Sequence, residues 1–448
     1  MRRTARFLSI LSVAACLSGW TAAHAEGVRF IGSTSIDGTA TDKSGLPGTI
    51  LEDGVSPQNA LNGFGSGMAY AGAGDRYLLL SDRGPNKVRY KDGAAVDNTT
   101  SFATRFQTFD IAVKPDAAKP TGFTVEAKHV GTTLLKAQDG EPYTGLSTGF
   151  PHDGRPNRRL DPEGVRVAPD GTVWISDEYG PWILHFDRSG KQIGSLPAPD
   201  GFMLAEPGPN LKGEMAKAKS GRVTNRGAEG LALTPDGRWL VVAMQGGLLQ
   251  DGGAKALHTR LVVYDLQSPG KAPRQFFYPL KDERHSISEI LAVDDHRFLV
   301  DERDGKPGSA GSKLLYLIDV AQPQPPTDLG ASPYAGVNGK PLPVDKAPDD
   351  VVPLTKTLFA NIGALLNDAD KAGMGVYANA GGLPDKIEGY AFGPDLPNGD
   401  HLLLAANDND FTTTQTGFPN YIFAFAVPKD MLPGLTLNRL NPGVTFAE

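Results

Sequence analysis

Cysteine is almost absent from this sequence, which has 448 residues and a single cysteine, Cys16. That cysteine lies in a leader that begins with basic residues and continues into an apolar stretch, residues 7–17, too short to span a bilayer. Alanines at positions 23 and 25 suit a signal-peptide cleavage site. We therefore predict a signal peptide over residues 1–25 and export to the periplasm or the medium. The mature chain, residues 26–448, would contain no disulfide and no thiol chemistry.

The leader also allows a second interpretation. The motif "VAAC" at residues 13–16 resembles a bacterial lipobox, which would make Cys16 a lipid anchor. The following "LSGW" continues the apolar run where a tethered lipoprotein usually has a polar linker, so we expect soluble export. No other segment is long and apolar enough to cross a membrane, and we expect no transmembrane segment.

A basic excess and the common catalytic motifs are missing as well. The formal net charge is −7 at pH 7, which argues against a nucleic-acid partner. There is no G-x-S-x-G nucleophile elbow, no Walker A loop, no dinucleotide fingerprint after a strand and no H-E-x-x-H motif. The sequence therefore lacks the signatures of the common serine hydrolases, nucleotide-binding proteins and zinc proteases.

Glycine and proline are plentiful, with 54 and 35 residues, and an apolar content of 40% favours a turn-rich β protein. One hairpin pattern recurs: a small or acidic residue, a strand, a turn, an apolar strand, and then Asp, Asn or Glu. Copies begin with "PEGVRVAPDG" at Pro162, "AEGLALTPDG" at Ala228, "ISEILAVDD" at Ile287 and "IEGYAFGPD" at Ile387, and a weaker copy begins at Gly65.

A third strand follows each copy, and a fourth follows some of them, as in "KQIGSLPA" and "RQFFYPL". Such repeats are typical of propeller blades. We predict an all-β fold over residues 26–448, a β-propeller of five or six four-stranded blades, with residues 28–36 as the outer strand of the last blade. We also predict a Pro-rich insertion at 321–353, a monomer, and a short helix with Leu358, Ile362, Leu365 and Leu366 on one face. A mixed α/β or two-domain arrangement is the alternative.

The hairpins bring acidic residues together. The residues before the first strand and after the second lie at the same edge of an antiparallel hairpin, so the acids of all blades would crowd one mouth of the channel. Crowded carboxylates need a cation, and oxygen-only ligands favour Ca²⁺. The predicted ligands are Asp82, Glu163, Asp177, Glu178, Glu229, Glu289, Asp301, Glu302, Glu388, Asn407 and Asp408.

Turn chemistry is the alternative explanation for part of this pattern. "DPEG" suits a type I turn, with Asp first, Pro second and Gly fourth, and this would account for Glu163 alone. It does not account for "AEG", "ISE" and "IEG", in which the acid persists without the proline. Asp and Asn after a strand are common turn formers, so the second acidic position stays open between the two explanations.

Cations alternate with these acids along the chain. They suit a small anionic substrate such as a phosphate ester, although they are also explained as ordinary surface charges paired with acidic neighbours. We assign substrate binding to Arg83, Arg159, Arg226, His285, Arg303 and Lys386. We assign catalysis to Glu163, Glu229 and His152, and a structural or solvated role is the alternative for His152.

The segments "DPEGVRVAPDGTVWISDEYGPWI", "NRGAEGLALTPDGRWLVVAMQ" and "KIEGYAFGPD", with "SDRGPN" and "VVPLTKTLF", resemble the phytase-like, or esterase-like, family of exported bacterial propeller proteins. The resemblance extends roughly from Val28 to Val427. It implies a β-propeller, a metal site at the channel, and hydrolysis of phosphoesters or esters. The chain departs from the acidic pattern at Ser66 and at Met244–Gln245, which leaves the number of metal ions open.

Three functions agree with these observations. The first is a metal-dependent phosphoesterase in which Ca²⁺ holds the phosphate and activates water. The second is a calcium-dependent lactonase or carboxylesterase, which would need few phosphate-binding cations. The third is a non-catalytic exported binding protein whose acids are purely structural. The interleaved cations favour the first over the second.

Overall fold

The computed structural model describes residues 27–86, 99–146, 157–180, 182–208, 211–377, 382–412 and 418–446. The predicted signal peptide and His152 lie outside these residues. Within them the chain forms five antiparallel sheets of four strands each. The prediction of a β-propeller is confirmed, and its blade number is five.

Each blade is one sheet, and four of the five are built from consecutive strands. Blade 1 contains β2 (Phe64–Tyr70), β3 (Arg76–Ser81), β4 (Arg105–Pro115) and β5 (Phe123–Leu134). Blade 2 contains β6 (Pro162–Val167), β7 (Val173–Asp177), β8 (Ile183–Phe186) and β9 (Gln192–Leu196). Blade 3 contains β10 (Ala228–Leu233), β11 (Trp239–Met244), β12 (His258–Asp265) and β13 (Arg274–Pro279).

Blade 4 contains β14 (Ser286–Ala292), β15 (Arg297–Arg303), β16 (Lys313–Asp319) and β17 (Lys356–Asn361). Blade 5 contains β18 (Gly389–Gly393), β19 (His401–Ala406), β20 (Asn420–Val427) and, as its outer strand, β1 (Arg29–Ile36). Two α-helices are present among the described residues, α1 (Leu211–Lys217) and α2 (Ile362–Lys371).

Ring closure uses both ends of the chain. β1 pairs antiparallel with β20, so the prediction that residues 28–36 supply the outer strand of the last blade is confirmed. Each innermost strand contacts the innermost strand of the next blade, and β18 contacts β2 to complete the circle. Because both faces of an inner strand are covered by neighbouring blades, every residue of β2, β6, β10 and β18 is buried.

The segment between β16 and β17 carries the predicted Pro-rich insertion. It packs an apolar cluster of its own, including Leu329, Tyr334 and Leu342, against Phe277 of blade 3. The predicted helix begins only at Ile362, and Leu358 lies in β17, where its side chain is exposed. Its spacing from Ile362 suggested a helix, but pairing with β16 holds this segment extended.

A C-terminal strap, residues 433–446, crosses the end of the channel at which the inner strands finish. The Thr436 amide donates to the Val293 carbonyl of blade 4, and the Asn441 amide donates to the Pro169 carbonyl of blade 2. The Asn438 side chain donates to the Leu233 carbonyl of blade 3. Access to the channel is therefore from the opposite mouth, where the inner strands begin. No described helix is long and apolar enough to cross a membrane.

Candidate functional site at the channel mouth

Two positions in each inner hairpin face the open mouth. Pro162 is opposite Asp177 and Val165 is opposite Ile175, so one extra residue is accommodated at the start of β6. Such a bulge redirects the side chains at the end of a strand. The same shift of one residue occurs in blades 3 and 4, whereas blade 1 has a shift of two residues between Phe64 and Gly67 and blade 5 pairs without a shift. The first position holds Ser66, Glu163, Glu229, Ser288 and Glu388, and the second holds Asp82, Glu178, Gln245, Arg303 and Asp408.

This register explains why glycine follows the first position in four blades. An added Cβ would lie 2.3 Å from the Glu163 carbonyl at Gly67, 2.8 Å from the Leu231 amide at Gly164 and 2.8 Å from Glu289 backbone at Gly230. The inner strands thus approach too closely for a side chain there. In blade 4 this position holds Glu289, and Ser288 occupies the position that is acidic in blades 2, 3 and 5.

The mouth opens into a cavity of about 390 Å³ that receives side chains from all five blades. Three groups of carboxylates lie at this mouth, each with ligand atoms within 4.8 Å of one another, and four of their acids line the cavity: Asp82, Glu163, Glu229 and Asp408. One contains Glu163, Glu178 and Glu229, a second contains Asp82, Asp161 and Glu163, and a third contains Asp82, Asp408 and Asp410. The sequence had not assigned Asp161 and Asp410 to a metal site. Asp161 is the first residue of the "DPEG" turn motif, and Asp410 lies two residues after the predicted ligand Asp408.

Two of these groups already contain a cation. Arg83 donates its backbone amide to Asp161 Oδ1 at 3.1 Å and its guanidinium to Asp161 Oδ2 at 2.7 Å. The Lys386 ammonium donates to Asp408 at 3.0 Å and to Asp410 at 2.6 Å. The protein itself thus supplies a cation to Asp161 in the second group and to Asp408 and Asp410 in the third.

The group of Glu163, Glu178 and Glu229 is different. Both carboxylate oxygens of Glu178, and Oε2 of Glu229, are buried without a hydrogen-bond partner among the described residues. Arg83 lies 3.9 Å from Glu178 but makes its closer contact, at 2.7 Å, with Asp161. Burial raises the pKa of Glu178 and of Glu163 well above the usual value, and raises that of Glu229 to about 8, with Glu388 adding to the effect. Buried carboxylates without donors need a cation or a proton.

Arg303 and Glu388 form the remaining ion pair at the mouth. The Arg303 guanidinium bonds Glu388 of the next blade and, through Nε, the Ser288 hydroxyl at 2.7 Å. Blade 4 therefore supplies a serine and a cation where blade 2 supplies two acids. The register places Arg303, and not Asp301 or Glu302, at the cavity.

Six predicted ligands are not part of these carboxylate groups, and one of them is Glu388, which pairs with Arg303. Glu289 pairs with Arg166 at 2.8 Å, and Glu302 accepts from Tyr278 at 2.6 Å and from Lys356. Asp177 accepts from the amides of Asp161 and Tyr179, Asn407 accepts from the Tyr421 amide, and Asp301 is buried in blade 4. Alternate side chains of a strand point to opposite faces, so residues one place from a mouth position point away from it, as Asp177, Glu289, Glu302 and Asn407 do. Asp301 lies two places from Arg303, deeper in the blade, opposite Glu289.

The predicted substrate-binding residues also separate into two sets. Arg83, Arg226, Arg303 and Lys386 line the cavity. Arg226 makes no ion pair with any residue that the structure describes, so its charge is available to a ligand. Arg159 lies with its guanidinium carbon 3.4 Å from the Tyr179 ring centroid, and His285 bonds Asp282 at 2.9 Å and Ser312 at 3.0 Å. These last two are not among the residues lining the cavity.

The donor set suits a hard divalent cation. All atoms of the three groups are carboxylate oxygens, and no Cys or His belongs to them. Ca²⁺ accepts six to eight such oxygens in flexible geometry, and Mg²⁺ prefers carboxylates together with retained water. The residues at the mouth therefore fit the calcium ion expected from the sequence.

Comparison with known proteins identifies a family, a relative of similar sequence and several solved structures of similar fold. The model of the family named Phytase-like, described as "Esterase-like activity of phytase", matches residues 59–411. An "Uncharacterized secreted protein" of Arthroderma benhamiae is 25% identical over 477 residues, which cover 89% of this chain and 88% of that protein.

Solved propeller structures are similar at low identity. A gluconolactonase from Xanthomonas campestris is 12% identical with a TM-score of 0.32, covering 88% of this chain and 100% of that one. A luciferin-regenerating enzyme is 11% identical with a TM-score of 0.32, covering 88% of this chain and 99% of that one.

Proposed function

Since the chain belongs to the phytase-like family, we propose that it is a metal-dependent hydrolase of anionic esters, with phosphate esters as the preferred class. The observation that carries the proposal is the group of Glu163, Glu178 and Glu229. Buried oxygens of Glu178 and Glu229 have no hydrogen-bond donor among the described residues, and Glu163 and Glu229 line a cavity that also exposes the cation Arg226. A carboxylate group beside a free guanidinium suits a metal ion together with an anionic substrate.

The residues of the mouth would have different roles in this reaction. Glu163, Glu178 and Glu229 would hold the ion, which when bound polarises an ester or phosphoryl oxygen and lowers the pKa of a water molecule. Arg226 would bind the charged group of the substrate and orient it towards blades 2 and 3. Arg303 would keep Glu388 extended beside the cavity through their ion pair. His152 lies outside the described residues, and its acid–base role stays a prediction.

Chelation tests the proposal. A panel of phosphoester, lactone and carboxylester substrates is assayed with the purified protein before and after EDTA, and again after Ca²⁺ is restored. We expect phosphoester turnover that EDTA abolishes and calcium restores. We also expect melting to fall with EDTA, since an ion at a hundredfold excess over its Kd stabilises the folded state by about 2.7 kcal/mol.

Two variants make the test specific. Glu163→Gln should lower calcium affinity by about tenfold or more, because ligand charge sets affinity at such sites. Glu126→Gln is the matched control, since Glu126 is exposed and pairs with Lys114 on the outer part of blade 1. If EDTA changes neither the melting temperature nor the turnover, both the metal site and the phosphoesterase proposal are wrong.

The same panel of substrates also tests the other two candidate functions. Turnover of lactones or neutral esters alone, with no effect of Arg226→Ala, would favour the lactonase or carboxylesterase. Calcium-dependent melting with no turnover would favour a binding protein. We further propose export by the leader at residues 1–25, which the secreted relative supports and amino-terminal sequencing of the mature protein would test.

A further inference from the structure

The three carboxylate groups at the mouth are not equivalent, and the difference bears on the number of metal ions. The group of Asp82, Asp408 and Asp410 has Lys386 in contact with two of its acids. Two further oxygens of the group are also engaged: Asp82 Oδ1 accepts from the Gly84 amide at 2.8 Å, and Asp408 Oδ1 accepts from the Asp410 amide at 2.8 Å. A metal ion could enter only by displacing these donors.

The group of Asp82, Asp161 and Glu163 is blocked in the same way. Both oxygens of Asp161 accept from Arg83, one from its amide and one from its guanidinium. Arg83 is buried, and removing its partner would leave an uncompensated charge out of water, which is strongly unfavourable. Among the three groups, only that of Glu163, Glu178 and Glu229 contains fully buried oxygens that no described donor satisfies.

We propose that the mouth binds a single divalent cation, held by Glu163, Glu178 and Glu229, and that the Lys386 ammonium occupies the second cation position as a built-in substitute for a metal. The proposal deepens the proposed function and rests on its metal site. It also changes the role expected for Lys386 from the sequence, because its contacts commit it to Asp408 and Asp410 and not to a substrate.

Calcium stoichiometry tests the proposal without any need for activity. Titration calorimetry with CaCl₂, supported by elemental analysis after gel filtration, should give one ion per chain in the unchanged protein. Lys386→Met removes the ammonium and leaves three acids without a cation, so we expect a second ion to bind. Adding Asp408→Asn to that variant should return the count to one. Lys371→Met is the control, since Lys371 is exposed and pairs with Asp368 on α2.

A second pair of variants keeps the test valid should Lys386→Met fold poorly. Glu178→Gln should weaken calcium binding by about tenfold or more, because it removes a ligand charge. Asp410→Asn should leave the calcium affinity within about threefold and the number of bound ions unchanged, because Asp410 binds Lys386 and is not a proposed ligand of the ion.

The outcomes separate this proposal from the proposed function. Two ions in the unchanged protein, or a large loss of affinity with Asp410→Asn, would overturn the single-ion proposal and leave a metal-dependent hydrolase standing. A folded Lys386→Met variant that still binds one ion would overturn the role of Lys386. No calcium binding at all would overturn both proposals.

Discussion

Arg166 is the residue that sequence reasoning missed most clearly. It extends from β6 into the channel, where its guanidinium lies 2.8 Å from Glu289 and donates to the carbonyls of Met68 and Ile290. The pair therefore connects blades 1, 2 and 4 in the middle of the ring. Glu289 also accepts from the Leu231 amide of blade 3. Nothing in the repeat distinguished Glu289 from the acids at the mouth, because its orientation depends on a bulge.

Replacing Arg166 tests this pair. Arg166→Met should lower the free energy of unfolding by about 3–5 kcal/mol, because it leaves Glu289 buried without its cation. Arg166→Met with Glu289→Met should be less destabilised than the single variant. The measurement is urea denaturation, and Arg238→Met, which breaks the more exposed pair with Asp265, should change stability by less than about 1 kcal/mol. A double variant that is no more stable than the single one would contradict this account.

His258 gives the protein a dependence on pH that does not involve the mouth. It is buried in β12 and stacks on Phe277 with ring centroids 4.4 Å apart. Burial lowers the pKa of His258 from 6.5 to about 4. The unfolded chain therefore takes up the proton first as the pH falls, and the contribution to stability is present above pH 6.5 and lost towards pH 4.

The size of this pH effect can be measured by comparing the unchanged protein with a variant that lacks His258. Between about pH 7 and about pH 5 the unchanged protein should lose about 2 kcal/mol more stability than His258→Phe, which cannot take up a proton. Urea denaturation at the two pH values gives the difference. His296→Gln is the control, because Asp319 raises the pKa of His296 and removal of this histidine should not reduce the acid sensitivity. Equal losses in the unchanged protein and His258→Phe would rule out this source.

At the scale of elements, register decides which side chains reach the mouth. The hairpin pattern predicted that acids would gather at one edge, and the structure brings together Asp82, Glu163, Glu178, Glu229 and Asp408 there. It places Asp301 and Glu302 elsewhere because Arg303 holds the equivalent position in blade 4. A shift of one residue reverses the face of a side chain, and a bulge produces such a shift without an obvious sequence signal.

β1 closes blade 5 with two buried side chains, Phe30 and Ile31. Ile31 is fully buried in a cluster between blades 5 and 1 that includes Met68 and Phe109. Ile31→Ala should therefore lower the free energy of unfolding by about 2–5 kcal/mol, as measured by thermal and urea denaturation. Thr34→Ala is the control in the same strand; Thr34 is partly exposed, and the expected change is within about 0.5 kcal/mol. Equal effects of the two variants would contradict closure by apolar packing.

At the scale of the whole molecule, the ring is fastened at two places. β1 completes blade 5, and the strap bonds to backbone groups of blades 1 to 4 at the closed end. The mouth lies at the other end of the inner strands, so stability and binding are supported by different parts of the chain. This separation leads to a prediction about truncation.

A chain that ends after residue 432 should fold with lower stability and an intact mouth. The lost hydrogen bonds to four blades, at about 1 kcal/mol each, predict a decrease on the order of 4 kcal/mol in the free energy of unfolding. Calcium affinity of the folded fraction should stay within about threefold of the full chain. Calorimetry and urea denaturation measure both quantities. Loss of binding in a folded truncated chain would show that the strap shapes the site.

The sequence by itself determined the features that depend on local and repeated patterns. Turn residues and alternation predicted the hairpins, the repeat predicted blades, and the segment at 28–36 predicted ring closure, all because these signals act over a few residues. The acids Glu163, Glu229 and Glu388 were found for the same reason. In blade 4 the sequence pattern placed Glu289 at the mouth, because only the register of β14 against β15 shows that Ser288 holds that position.

Tertiary structure alone decided which charges meet across blades. Arg83 and Asp161, Arg303 and Glu388, and Arg166 and Glu289 come from different blades and are far apart in sequence. Nothing in a single hairpin indicates these partners, because they depend on how neighbouring blades are placed around the ring. The same placement leaves Glu178 without a donor and Lys386 with two acids, since electrostatic compensation depends on distance in space and not along the chain.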